Sequence, residues 1–323
     1  MTDAGFGATS AGRPLAIVAG AHGAIGREVA RQLTISGWRV AGIGHGPFDW
    51  AGERPIDRWR ASDISLESLT DLTRDLGPVD AIFNLAGGSS VGASIGNPAE
   101  DFRRTVGASI QLLDFIRTRA PGARLIAVSS AAVYGAGHQE PIREEASLDP
   151  VSPYGHHKLQ MERDVGFWGK TYDISSVIVR LFSVYGVGLR KQMIFDLCTR
   201  LAGAPDRLVV WGVGSETRDW VSIEDAARLL IELAPLASPG APIYNGCTGE
   251  GRRVDDMARL LASTWGAGTE ICFDGVAQPG NPQHLVGSPR RLRSVPFQPR
   301  VSLEQGLAAV VADAKRRLNP SGD

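Results

Sequence analysis

The feature that most constrains this chain is Gly20-Ala21-His22-Gly23-Ala24-Ile25-Gly26, three glycines at three-residue spacing between an apolar run and a helical one. The run before it, Leu15-Ala16-Ile17-Val18-Ala19, reads as a buried strand, and residues from Ala24 to about Ile35 read as a helix. A tight strand-to-helix turn needs glycine where the chain reverses, where backbone must approach a ligand, and where helix packs on strand. The helix that follows presents free N–H groups and the positive end of its dipole to the turn. A strand, a glycine turn and a helix in this order read as a cradle for a pyrophosphate, so an α/β fold with a dinucleotide site at the first turn is expected.

Downstream, the same alternation continues. Trp38 to Ile43, Arg58 to Ala61, Val79 to Leu85, Arg124 to Ser129 and Ser175 to Phe182 read as strands; Leu66–Leu76, Ala99–Arg119 and Tyr154–Gly166 read as helices. Near-continuous apolar strands separated by helices predict a doubly wound parallel sheet covered on both faces. Beyond Ser183 the elements shorten, and Gly, Pro and Arg become more frequent. Residues 14–183 are therefore expected to form the dinucleotide-binding domain and 184–323 mainly a smaller mixed α/β substrate-binding region. Segments near 219–247, among them Asp219–Leu233, are expected to return to the first domain. Residues 1–13 are rich in Gly, Ala, Ser and Thr and lack the basic start and apolar run of a signal peptide, which predicts a disordered lead-in.

Composition removes several classes. Thirty-four Lys and Arg stand against 35 Asp and Glu, so no basic footprint for nucleic acid or an anionic membrane surface is expected. No stretch of 18 or more apolar residues predicts a membrane span. Cys198, Cys247 and Cys272 are far apart, without CxxC or Cys/His spacing, so the expectation is no metal site and reduced thiols in a cytoplasmic protein.

The strand ends supply the rest of a dinucleotide site. Gly44-His45-Gly46 follows the second strand, where an acid that accepts from a ribose hydroxyl would usually stand. With no carboxylate there, NAD or NADP is expected, leaning to NADP, with His45 as a donor to the 2′-phosphate; Asp49, further along, is a second candidate for the ribose. Asp63-Ile64 follows the third strand, where the acid can accept from the adenine amino group or cap the next helix. Asn84-Leu85-Ala86-Gly87 ends the fourth strand with small residues along which a cofactor can lie. The cofactor-binding set is thus Gly20, His22, Gly23, Ala24, Ile25, Gly26, His45, Asp63, Ile64, Leu85, Ala86, Gly87 and Lys158.

Ser129-Ser130 closes the fifth strand, and Tyr154-Gly155-His156-His157-Lys158 opens the next helix. Residues four apart on a helix share a face, so Tyr154 and Lys158 point the same way. Redox at a secondary alcohol needs a group that removes or returns the hydroxyl proton, and a phenol beside an ammonium, its pKa lowered towards neutrality, can do this. Ser130, Tyr154 and Lys158 are the expected catalytic residues, with Ser130 also bonding the substrate oxygen. His156 and His157 are expected to point elsewhere.

The ordered set of glycine loop, Asn-x-Ala-Gly, Ser-Ser strand end and Tyr-x-x-x-Lys resembles the extended short-chain dehydrogenase/reductases of the nucleotide-sugar epimerase/dehydratase group, over about Leu15 to Leu307. Arg180-Leu181-Phe182-Ser183-Val184-Tyr185-Gly186, Trp211 to Trp220, and Tyr244-Asn245-Gly246 resemble further segments of that group. The resemblance implies a Rossmann-like fold, a nucleotide-diphosphate sugar as substrate and a homodimer built on the helices Ala99–Arg119 and Tyr154–Gly166. It also implies Arg218 as a diphosphate clamp, with Arg290 or Arg291 as a second; Ser183 at the substrate; and Leu197 either on the nucleobase or in ordinary core. The group often carries Asn where Ser183 stands and near Thr105. Its 4,6-dehydratases carry Asp-Glu where Ala131-Ala132 stand, so the machinery for losing water is missing, as is a cysteine near Ala132 for epimerisation next to a ketone. What remains is redox at one carbon, C4 of the sugar. The reading is a 4-epimerase; alternatives are an NADPH-dependent 4-keto-sugar reductase and a non-catalytic cofactor sensor, which would be expected to lack Tyr154 or Lys158.

Overall fold

The computed structural model describes residues 12–46, 56–88, 90–266, 268–276 and 282–318; Asp49 and nearly all of the expected lead-in lie outside them. The first half runs β1 (Leu15–Ala19), α1 (Ala24–Ile35), β2 (Arg39–Gly44), β3 (Arg58–Ala61), α2 (Leu66–Thr73), β4 (Ala81–Asn84), α3 (Val91–Gly96), α4 (Pro98–Phe102), α5 (Ala108–Arg119), β5 (Arg124–Ser130), α6 (Pro153–Tyr172) and β6 (Ser176–Leu181). The second half runs β7 (Ser183–Tyr185), α7 (Gln192–Leu201), β8 (Arg207–Val210), β9 (Thr217–Ser222), α8 (Ile223–Leu233), β10 (Ile243–Gly246), β11 (Gly251–Arg253), α9 (Val254–Trp265), β12 (Glu270–Phe273), β13 (His284–Leu285) and α10 (Leu303–Leu318).

Seven strands make one parallel sheet in the order β3-β2-β1-β4-β5-β6-β10. The alternation of β1 shows how both faces are covered. Ala16 and Val18 join the core under α1 and α8, with Val29, Leu33 and Leu230. Leu15, Ile17 and Ala19 join the opposite core under α2, α5 and α6, with Leu72, Leu112 and Val165. This is the Rossmann-like doubly wound sheet, and its order reverses between β1 and β4, where such sheets leave a crevice at the strand ends.

The later chain builds on that edge. β9 is the hub of a second sheet, pairing with β7 and β13 in parallel and with β11 antiparallel, while β8 and β12 pair separately. Helices α7, α9 and α10 close a third core around Leu201, Met257, Leu261 and Leu307.

Helix boundaries differ from expectation in four places, the first being α2, which ends at Thr73 rather than Leu76. The single helix expected over Ala99–Arg119 contains a π-helical turn, Arg103–Gly107, between α4 and α5. The helix α3, unforeseen, starts at the Ser90 side chain, which accepts from Ala93 N. The helix α6 runs six residues beyond Gly166, because that glycine faces open space and breaks nothing; the left-handed Asp173 ends it.

Candidate active site

The glycine turn is built as a close contact. Gly20 has φ +83°, and a Cβ there would lie 2.8 Å from Leu85 O. A Cβ on Gly26 would meet Gly20 O at 2.3 Å, so α1 sits directly on the turn. The N-terminus of α1 has no capping side chain and no acid in its first turn. Basic groups gather beside it: Arg27 Nε donates to His22 O, and burial first, then Arg27 and Arg190, lowers the pKa of His22. Open N–H groups under a positive field fit a pyrophosphate. Gly87, φ +130°, leaves room between Thr105 Oγ1 and Lys158 Nζ, which a Cβ would meet at 2.9 and 3.4 Å. Leu85, Ala86 and Ile64 are half-buried along the same strand ends.

The end of β2 is not free of acid. The parallel register sets Gly44 opposite Ala61, so Asp63, just beyond, lies alongside His45. Asp63 Oδ1 stands 3.1 Å from His45 Nε2, and its Oδ2 stands 2.9 Å from Arg103 Nη1, delivered by the π turn. Asp63 does not cap α2; Ser65 does, in a reciprocal pair with Ser68. The expectation of an acid-free strand end is corrected to a carboxylate held between two basic side chains.

At the other side of the crevice, Ser130 hydrogen-bonds the Tyr154 phenol, and Lys158 Nζ donates to Val128 O at 2.9 Å. Tyr154 N donates to Ser94 Oγ of α3 at 3.0 Å, and Ser152 Oγ accepts from Gly155 N at 3.2 Å, so α3 and the cap together fix the first turn of α6. The protein alone does not lower the phenol towards neutrality as expected. Burial pushes Tyr154 up, the Ser130 bond opposes this, and Asp101 adds to it. Lys158 is brought down to about 8 by burial, against the pull of Asp101 and Glu162. The ammonium is aimed at Val128 O rather than the phenol.

Two acids beside Lys158 were not foreseen. Glu162, one turn on, is buried in a bidentate pair with Arg180 and accepts from Ser129 Oγ. Asp101 lies 2.6 Å from His157 Nδ1. His157 therefore does not point elsewhere: it is three residues from Tyr154, on the same face, and only His156 is exposed. The i, i+3 spacing was visible in the sequence; its partner, 56 residues away, was not.

The substrate-side residues divide. Ser183 opens β7 beside the crevice, partly exposed, paired with Trp220. Arg218 on β9 is buried, its Nη1 donating to Thr217 O at 2.7 Å; burial lowers its pKa, and Glu216 and Glu140 oppose that. Arg290 is exposed, while Arg291 is tied to Ile243 O and Glu145. Leu197 is core, 1% exposed among Ile194, Cys198 and Leu201, as the second of its two readings had it. A concavity beyond Ser183 is lined instead by Val184, Gly186, Leu189, Gln192, Phe195 and Trp220. Among the described residues no His, Cys, Asp and Glu group could hold a metal, and no helix is long and apolar enough to cross a membrane.

Residues 16–245 match the model of the NAD dependent epimerase/dehydratase family. A UDP-glucose 4-epimerase of Azospirillum brasilense is 29% identical over 88% of this chain and 86% of its own length. A GDP-6-deoxy-D-mannose reductase of Pseudomonas aeruginosa is 27% identical over 78% of this chain and 85% of its own. The solved structure of MoeE5 in complex with UDP-glucuronic acid and NAD superposes with TM-score 0.82 at 27% identity, covering 94% of this chain and 99% of that one. Solved structures of the same fold hold NAD or NADPH.

Proposed function

This chain belongs to the NAD dependent epimerase/dehydratase family, and we infer that it is a nucleotide-sugar 4-epimerase working with bound NAD or NADP. The observation that carries the reading is Ser130 hydrogen-bonded to Tyr154, at the sheet edge where the crevice opens, with Ala131 and Ala132 in place of any acid. A single phenol and hydroxyl can serve proton transfer at one sugar oxygen; they offer no second acid or base for losing water. The 29% identity to a UDP-glucose 4-epimerase over most of both chains supports the same reading.

The residues have distinct work. The turn Gly20–Gly26 and the N-terminus of α1, with His22, Arg27 and Arg190, hold the cofactor pyrophosphate; Asp63 and His45 lie at the adenosine end, and Leu85 to Gly87 with Lys158 at the other. When bound, the nicotinamide supplies hydride acceptance and return. Tyr154 takes the proton from the C4 hydroxyl and gives it back, and Ser130 holds the same oxygen. With the cofactor bound, its positive charge would lower the phenol that burial, and after it Asp101, raises. Arg218 meets the substrate diphosphate once Glu216 and Glu140 share it with phosphate oxygens, a planar fork suited to that partner. Arg290 is the outer clamp, and the concavity beyond Ser183 takes the nucleoside. The protein acts in the cytoplasm as a homodimer.

A second reading, a 4-keto-sugar reductase using NADPH, is favoured by the acid beside the end of β2, Asp63, being ion-paired to Arg103, with His45 3.1 Å from its other oxygen. A non-catalytic sensor has no need of the Ser130–Tyr154–Lys158 set. The experiment gives the protein nucleotide hexoses without added coenzyme, and separately gives it deuterated NADPH with 4-keto nucleotide sugars. Inversion at C4 without coenzyme consumption is expected; deuterium at C4 with matching loss of NADPH would replace the epimerase by the reductase.

A further inference from the structure

The pair Asp101–His157 is absent from the chemistry above, yet it is packed into the catalytic wall. Asp101 reaches in from α4, 6% exposed, with Oδ2 2.6 Å from His157 Nδ1 on α6. Its other oxygen lies so close to Gly88 that a Cβ there would come within 1.7 Å of it. Gly88 is thus the only kind of residue that leaves space for this carboxylate. Its neighbour Gly87, φ +130°, leaves room for Thr105 Oγ1, which a Cβ would meet at 2.9 Å, with Lys158 Nζ in ordinary contact at 3.4 Å. A buried carboxylate has a strong field and few ways to be screened.

We propose that Asp101, held in place by His157, is a positioning residue: a fixed buried charge beside Tyr154 and Lys158 that sets how readily the phenol gives up its proton. The inference rests on Tyr154 being the proton-transfer group of the proposed reaction. The other ionisable groups around the pair are accounted for. On α6, His156 faces solvent, and Glu162 is spent on Arg180 from β6. On α4 and the π turn, Glu100 binds Arg103 and Arg104, and Arg103 also binds Asp63. Neither α3 nor β5 brings a charge to it; they contribute Ser94, Ser129 and Ser130. Asp101 is accordingly the acid whose charge acts on both catalytic groups, raising Tyr154 and Lys158 alike. The negative charge keeps the phenol a proton donor and the lysine an ammonium.

The test reads Tyr154 directly and needs no substrate. Tyrosinate absorbance in the near ultraviolet is titrated in the NAD-loaded protein, and the Tyr154→Phe curve is subtracted to leave Tyr154 alone. Asp101→Asn, similar in shape but neutral, should move that titration to lower pH by about one and a half to three units, the effect of a unit charge about 4–8 Å away at an effective dielectric near 20. Asp101→Ser, smaller and free of Gly88, should move it in the same direction. His157→Gln keeps a donor to the carboxylate and should leave the titration in place. A merely structural pair would respond alike to all three changes, and that result overturns the proposal. So does a shift below ~0.3 unit in both neutral variants, on the same electrostatic scale. Failure of the nucleotide-sugar reading leaves this titration measurable, whereas a difference curve with no titrating phenol would end both.

Discussion

Lys158 is buried where a folded protein would rather not keep an ammonium, so it carries a stability penalty. Its folded pKa is about 8 against an ordinary value of 10.5. Between those values the unfolded chain binds more protons than the folded one, so stability rises with pH across that window; below about 8 both states hold the proton and the penalty is complete. Lys158→Met should therefore stabilise the protein at pH 7 by up to about 3 kcal/mol, less the bond to Val128 O, while abolishing turnover. The gain should shrink as pH climbs from 8 towards 10, measured by urea unfolding; a gain independent of pH would mean packing, not charge, is responsible. The adenosine end offers a second single-residue test. Arg103 is ion-paired to Asp63, and His45 stands 3.1 Å from its other oxygen. Arg103→Ala should release that acid to repel a 2′-phosphate and tilt binding towards NAD by up to about fivefold, the scale of one half-exposed ion pair. His45→Ala should act in the same direction. Calorimetric titration with NAD and NADP checks both, and an unchanged ratio would separate Asp63 from cofactor choice. At this scale the sequence was informative about residue types and silent about partners. Tyr154, Lys158 and Ser130 could be named from spacing, but the acid beside His45 required the β2–β3 register, and Asp101 required a contact between α4 and α6.

Among the elements, α6 shows how a helix end places the Tyr154 side chain. Pro153 has no N–H to satisfy, Tyr154 N is met by Ser94 Oγ, and Gly155 N by Ser152 Oγ. The Ser94 contact bridges 60 residues and joins a fully buried hydroxyl to a half-buried tyrosine. Ser94→Ala leaves the Tyr154 amide without an acceptor and should cost about 1–2 kcal/mol. Because the loosened turn carries the phenol, kcat should fall severalfold with KM nearly unchanged; a KM effect alone would place Ser94 in substrate binding instead. The helix α6 was readable because Ser152-Pro153 is a strong start signal. The helix α3 was not, since Val91 to Gly96 is one turn and a half with two glycines and no periodicity to detect. The π turn was hidden for a different reason: an inserted residue shifts the helical face without altering composition, and here it aims Arg103 at Asp63.

At the scale of the whole molecule, the parallel sheet followed from alternation alone, because strands buried on both faces leave continuous apolar runs. The second sheet did not, since β9 gathers three short strands from distant parts of the chain. Assembly is the remaining question at this scale. Arg117 on α5 and Arg163 on α6 are exposed, and so are the aromatic rings Phe167 and Tyr172 of α6 and Phe102 at the end of α4. Charge alone would keep such a surface in water, but Phe167 is 62% exposed, an unusual position for so large an apolar ring. A two-fold axis along these helices would bury each ring against the partner copy and let Arg163 and Asp164 of one protomer meet the same residues of the other in exchanged order. A homodimer is therefore expected by light scattering at micromolar concentration. Phe167→Asp puts a buried charge at the centre of that contact twice over and should yield monomers, while the thermal transition of the isolated fold changes little, since the ring makes no core contact. A dimer that survives Phe167→Asp would move the interface to another surface, and a wild-type monomer would remove it.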